Sequence, residues 1–199
     1  PGHSGIGVMH FNLHRIFSTP HGGGGPGAGM VGAVEKLVDF LPGPFAAKQG
    51  ERYVLARAAK SIGQMKAFYG NFGVIVRGYV YVRMLGAEGM RRVAENAVLN
   101  ANYLKVKVEK DFPVKYPRRC MHEFVAMGDI APDIHTLDVA KRLIDLGIHP
   151  PTIYFPRIMP EAIMVVPTET ESRESLDAFA EAMHQIARVR AVMAGSRPA

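Results

Sequence analysis

The sequence predicts an α/β protein, on three observations. In its second half, residues 122–127, 137–146, 162–166 and 175–194 read in turn as strand, helix, strand and helix, an order that gives an α/β or α+β arrangement. Cap and stop residues stand where those helices must begin and end. The composition is that of a globular chain, with 199 residues, 48% hydrophobic and 21% charged, which is enough to bury a core.

Taken in order, residues 8–14 (VMHFNLH) alternate, with Val8, His10, Asn12 and His14 on one side and Met9, Phe11 and Leu13 on the other. That period of two predicts a short strand. Residues 1–32 hold many of the 21 glycines, above all HGGGGPGAG at 21–29, and are expected to form a shaped loop rather than an element interior. Val34, Leu37, Val38 and Leu41 recur at helical spacing and predict a short helix or turn, stopped by Leu41-Pro-Gly-Pro44. Residues 61–85 contain Val74-Ile-Val76 and Tyr79-Val-Tyr-Val82, and their β-branched and aromatic content predicts a strand. Residues 87–109 read as an amphipathic helix with Met90, Val93, Ala97, Leu104 and Val108 near one face. A proline-bearing loop at 111–117 follows. Thr136 is expected to cap the next helix and Gly147 to end it, while Thr168-x-x-Glu171 and Ser172 are capping candidates for the last.

Composition excludes several classes. The longest apolar stretch, residues 72–82, is interrupted by Arg77 and falls short of the ~20 residues a membrane span needs. No membrane partner is expected. One cysteine, Cys120, excludes an internal disulfide and favours a reducing compartment, so a cytoplasmic protein is expected. Lys and Arg number 24 against 18 Asp and Glu, a net charge of +6. Such an excess raises the question of a nucleic-acid or acidic partner. The cations are scattered, however, except for KYPRR at 115–119, and no stacking platform or groove helix accompanies them, so nucleic acid is not expected. The chain opens on Pro1 without a leader pattern, which reads as a processed chain or a fragment.

Four features carry possible chemistry. Glycines after a strand let backbone N–H groups approach an anion such as a phosphate or carboxylate. No Gly-Lys-Ser/Thr follows, so this is not a P-loop. His10 and His14, four apart on a strand, would lie about 13 Å apart, too far for one ion, and no metal is expected. Cys120 has cationic neighbours that favour its thiolate, yet it lacks a nucleophile signature and is read as a structural residue. In HPPTIYFP at 149–156 three prolines stiffen a loop from which Thr152, Tyr154 and the following Arg157 can face a pocket.

The segments MHFNLHRIFSTPHGGGGPGAG (9–29), SIGQMKAFYGNFGVIVRGYVYVRMLGAEGM (61–90), NAVLNANYL (96–104), CMHEFV (120–125) and LDVAKRLIDLGIHPPTIYFPRIMPEAIMVVPTETES (137–172) occur in an order that resembles the pyridoxal-phosphate-dependent glycine decarboxylases of the glycine cleavage system. The resemblance is closest to the second subunit of their two-subunit form. It implies an oxidoreductase chain with the C-terminal part of a fold-type-I transferase: residues 1–86 as the end of the cofactor-binding large domain and 87–199 as the C-terminal small domain. It further implies pyridoxal 5'-phosphate as cofactor and glycine as substrate. The implied partners are the first subunit or an upstream domain, and the lipoyl carrier, H-protein. Asn12, His14, His21, Gly22, Gly23, Gly24 and Gly25 would bind the cofactor or line the site mouth, with Tyr69 and Asn71 nearby.

One departure bears on mechanism. The family's motif is N-L-H-K-T-F, and its lysine forms the Schiff base with the cofactor. Here the matching residues are Asn12-Leu13-His14-Arg15-Ile16-Phe17. A guanidinium is not a usable amine nucleophile, so Arg15 stands at the catalytic position without the chemistry of a lysine there. The resemblance therefore leaves two readings open: a glycine decarboxylase portion, or a catalytically inactive member that has kept only its interaction surface.

Overall fold

The computed structural model describes residues 5–22, 24–67 and 69–195, with side chains through 189. The chain divides into two compact units, Pro1–Ala87 and Glu88–Ala199.

In the first unit the alternation at the start yields β1 (Val8–Asn12), which pairs antiparallel with β2 (Gly29–Ala33) in the register Val8↔Ala33 to Asn12↔Gly29. The strand stops at Asn12, and residues 13–16 turn into a single helical turn, α1 (Leu13–Ile16). His14 therefore leaves the strand face on which alternation placed it. Gly29 and Gly32 also depart from expectation, lying inside β2 rather than in a loop. At Gly29 the His10 side chain comes close to the backbone, whereas Gly32 faces open space. The short helix expected near Leu37 is a 3-10 helix at Glu35–Phe40. Composition gave no hint of the hairpin that follows, β3 (Phe45–Gln49) with β4 (Arg52–Ala56), turned by Gly50 at φ 61.

The strand expected within residues 61–85 is a helix. The run α2 (Phe72–Val108) is broken at Gly86, whose φ is 62. The Asn71 side chain accepts the Val74 N–H at 3.3 Å and caps the start. Val74 and Gly78 are buried, with Tyr81 and Leu85 partly so, which is the spacing i, i+4, i+7, i+11 of one helix face. That face meets α1: the Leu13 methyls lie 3.4 and 3.5 Å from where a Gly78 Cβ would stand. Tertiary contact here overrides the β-propensity of Val, Ile and Tyr. Phe72, Tyr79 and Met84 are 78, 64 and 81% exposed, so the helix keeps apolar surface outside the contact. Among the described residues no helix is long and apolar enough to cross a membrane.

The second unit follows the expected order. It contains the end of α2, then β5 (Phe124–Met127), α3 (Thr136–Asp145), β6 (Thr152–Ile153), β7 (Ala162–Val165) and α4 (Arg173–Gly195). The three strands form an antiparallel sheet in the order β5-β7-β6. Ala101, Leu104 and Val108 bury one face of α2, with Met90, Val93 and Ala97 of the expected stripe only partly covered. Leu104 and Val108 join a core with Phe112, Phe124, Val139, Leu143, Ile163, Val165, Leu176 and Met183. Asp177 on α4 receives the Tyr103 hydroxyl at 2.6 Å and the Lys107 ammonium at 2.9 Å, and these neighbours hold its carboxyl below the usual range. His184 meets Asp111 at 2.6 Å.

The start of α3 corrects one expectation. The cap is His135, whose N–H donates to Asp138 at 3.0 Å, and Thr136 is the first helical residue. Thr136 is fully buried because its side chain packs onto Gly128. Its N–H donates to Glu161 Oε2 at 2.7 Å. Gly147 ends the helix as expected, at φ 76, with Ile148 N–H bonded to the Leu143 carbonyl and Gly147 N–H to that of Ile144. Ser172 caps α4 by accepting the Ser175 N–H at 3.2 Å.

A Cβ at Gly128 would lie 2.9 Å from the Thr136 Cα and closer still to its Oγ1. Gly128→Ala should therefore cost about 1–3 kcal/mol, read as a lower urea midpoint at unchanged m-value. The Thr136 N–H also holds the Glu161 carboxyl below its usual range. A depressed carboxyl contributes stability above its unfolded pKa and loses it as pH falls through the folded one. Glu161→Gln should therefore flatten the acid limb of urea midpoint against pH, scanned from neutral to about pH 3, and a parallel limb would refute the link.

Candidate functional site

The candidate site grows from the junction of β1, α1 and the glycine loop. The Ala28 carbonyl accepts the Leu13 N–H at 2.9 Å and faces His14 Nδ1 at 3.3 Å. A carbonyl only accepts, so Nδ1 carries the proton and Nε2 is left facing outward from that bond. The Thr19 hydroxyl, itself buried, donates to the Leu13 carbonyl. Leu13 is 3% exposed and seated against Gly78. The one turn that carries His14 and Arg15 is thus fixed at its first residue by two hydrogen bonds and a buried side chain.

The loop returns over the imidazoles. The His14 and His21 rings stand edge to face, 4.9 Å between centroids. A Cβ on Gly27 would lie 2.6 Å from His14 Nδ1, and one on Gly29 would overlap His10 Nε2. Glycine at 27 is therefore set by the His14 ring, while a Cβ at 29 would displace the exposed end of the His10 side chain. Gly22 and Gly24 take φ of 60 and 158, and Gly25 N–H donates to the His21 carbonyl at 2.5 Å.

Among the sequence-predicted residues, the fold brings His14, His21 and Gly25 together, with Gly22 and Gly24 in the same loop. Gly23 lies outside the described residues. Asn12 ends β1 opposite Gly29 and makes no side-chain cap bond to α1. Arg15 is exposed and makes no hydrogen bond or ion pair among the described residues. Tyr69 is 49% exposed, and Asn71 serves as a helix cap. Sequence reasoning missed Thr19, although a hydroxyl six residues beyond Leu13 in a turn-rich segment is the type that closes such a turn.

In the second unit a groove of about 600 Å³ is lined by Thr152, His149, Met164, Leu176 and Phe179 among others. Of the three residues expected to face a pocket, Thr152 does so, while Tyr154 and Arg157 are exposed outside that lining. Cys120 also departs from the effect of its cationic neighbours. Burial pushes its thiol up, against the smaller opposing charge of Lys105. No group of three or more His, Cys, Asp or Glu among the described residues is arranged to hold a metal ion.

Two solved structures share this fold. A glycine decarboxylase (P-protein) of the glycine cleavage system, solved in inhibitor-bound form, superposes with a TM-score of 0.76 at 22% identity, over 94% of this chain and 44% of that one. A cysteine desulfurase from Thermococcus onnurineus NA1 gives 0.66 at 15% identity, over 92% and 48%.

Sequence comparison narrows the class. Residues 93–199 match the family model described as glycine dehydrogenase, C-terminal domain, and the chain belongs to that family. A probable glycine dehydrogenase (decarboxylating) subunit 2 from Chlorobium chlorochromatii (strain CaD3) is 56% identical over 192 residues, 94% of this chain and 40% of the relative. Another, from Thermotoga maritima, is 51% identical over 191 residues, with the same two coverages. The chain thus spans about 40% of the length of these relatives.

If the Gly27 contact sets the imidazole, Gly27→Ala should displace His14 while leaving the second unit intact. Hydrogen exchange should quicken at Leu13 by about tenfold or more, with protection in α3 and β7 unchanged.

Proposed function

We propose that this chain supplies the C-terminal part of the second subunit of a glycine dehydrogenase (decarboxylating), with pyridoxal 5'-phosphate as cofactor and glycine as substrate. Residues 1–86 would complete the cofactor domain and 87–199 would form the small domain. The remainder of the subunit, the first subunit and a lipoyl carrier would be its partners. The observation that carries the reading is the His14–His21 corner under the glycine loop, in a chain that belongs to this family.

The residues present fit a bound anionic cofactor in part. Gly27 and Gly29 let the backbone pass against the His14 and His10 rings, and His14, with Nδ1 engaged by Ala28, has Nε2 available to a phosphate or ring substituent. Asn12 and His21 would hold the neighbouring edge, and Gly22, Gly23, Gly24 and Gly25 the mouth. When bound, the cofactor supplies the electron sink for loss of the glycine carboxylate. The protein's share is to orient it, to exclude water and to present protons.

Arg15 does not fit covalent attachment. A guanidinium is not a usable amine nucleophile. It suits instead the bidentate grip of a phosphate or carboxylate. That residue favours a second reading, in which the chain keeps the surfaces of the family but has lost turnover.

The two readings separate in one assembly, made from this chain, the upstream portion of a relative's second subunit, that relative's first subunit and its lipoyl carrier. Glycine-dependent exchange of labelled CO2 at a high rate in the unsubstituted assembly would refute the inactive reading. Arg15→Lys should raise exchange by about 10²-fold or more and yield a borohydride-fixed cofactor on the peptide containing residue 15. If neither form exchanges CO2 or retains cofactor on dialysis, the glycine dehydrogenase reading fails.

A further inference from the structure

Between α2 and β5 the chain runs through PVKYPRRCM, residues 113–121, with three cations and no carboxylate. Such a connection would ordinarily be loose, since its charges repel and little apolar surface draws it down. Here it is fastened from beneath. Met127 N–H donates to the Pro113 carbonyl at 2.9 Å, and Val114 bridges Ala126. Lys105, only 4% exposed, donates to the carbonyls of Pro117 at 2.6 Å and Arg118 at 2.7 Å. Asn102, one turn earlier, donates to the Cys120 carbonyl at 2.8 Å and accepts the Cys120 N–H at 3.1 Å. Two side chains of one helix thus hold two stretches of the loop.

This fastening has an electrostatic consequence. A buried ammonium normally needs a carboxylate to offset its lost hydration. Lys105 has only carbonyls for acceptors, so its charge is not cancelled and stands behind the loop. Outward from it, Lys115, Arg118 and Arg119 are exposed. None makes a hydrogen bond or ion pair among the described residues, whereas Arg91, Arg142 and Arg188 of the same unit are all paired with carboxylates. Tyr116 and Met121, 50 and 71% exposed, lie among the cations.

We propose that this fastened loop is a docking surface for a protein partner presenting a carboxylate-rich face. No internal ion pair must break for the three cations to engage, and the loop is already ordered, which lowers the cost of binding. Tyr and Arg are the side chains that most often carry such contacts. One feature favours a protein over a nucleic acid. Tyr116 is the lone aromatic of the stretch, too few for the successive stacking that single strands use.

The test uses the full chain without cofactor or glycine, so that its outcome is independent of the function proposed above. Binding of fluorescein-labelled poly-L-glutamate is followed by anisotropy at low and high salt, with labelled poly-uridylate RNA as a second probe. Two triple variants carry the same change in net charge: Lys115→Glu with Arg118→Glu and Arg119→Glu, and, distant in sequence from the loop, Lys36→Glu with Arg52→Glu and Lys141→Glu. The loop variant should bind poly-glutamate about tenfold or more weaker than the distant variant, with a flatter salt dependence. Equal weakening in both variants would reduce the effect to net charge and overturn the proposal. So would RNA binding that exceeds poly-glutamate binding and is lost in the loop variant, which would make the patch a nucleic-acid surface.

Discussion

The first unit depends on one backbone carbonyl. Ala28 receives the Leu13 N–H, which starts α1, and His14 Nδ1, which orients the ring. Both bonds require the chain after β1 to double back, 14 residues separating His14 from Ala28, and pass close to the imidazole. That return path leaves no space for a Cβ at Gly27, and pairing of β1 with β2 leaves none at Gly29 against His10. Glycine at 27 thus follows from that hydrogen bond, and glycine at 29 from the strand pairing. A loop merely needing flexibility would tolerate alanine at some of these places; one that packs its backbone on imidazole rings does not.

The same corner sets what residue 15 can do. A helical turn of four residues has little stability of its own, and α1 is held by Thr19, Ala28 and Gly78 rather than by propensity. Its position is therefore decided before the identity of residue 15 matters. An arginine inherits the placement that the scaffold offers and changes only the chemistry delivered there, from a neutralisable amine to a permanent cation.

Legibility in the sequence followed the reach of the interactions. In the second unit each element is specified locally: Ser172 and Gly147 mark helix ends, and short apolar runs give β5 and β7. Those signals lie within a few residues of what they control, and the element types and order were readable. In the first unit residues 61–85 have strand-like propensity, and only the spacing of Val74, Gly78, Tyr81 and Leu85 tells of a helix. Glycine at 78 is invisible to an apolar count, since it contributes by absence of a side chain where Leu13 approaches. The β3–β4 hairpin was missed for a related reason. Its strands expose Tyr53 and Leu55, 74 and 61%, so no buried face imposed a period on the sequence.

Motif order singled out His14 and the glycine loop as candidates, but not the bonds that join them. His10, too far along a strand from His14 to share an ion with it, lies against Gly29. Thr136 was placed one position too early, as a cap, because hydroxyl residues favour that position in general. The closure of Gly128 onto its side chain is a long-range fact that no local rule contains. Lys105 is the sharpest instance. On a helix face otherwise read as apolar it looks like a solvated cation, and its burial becomes intelligible only once the loop carbonyls of Pro117 and Arg118 are known to lie above it. Charges of that kind are retained where an apolar residue would pack but could not hold a loop.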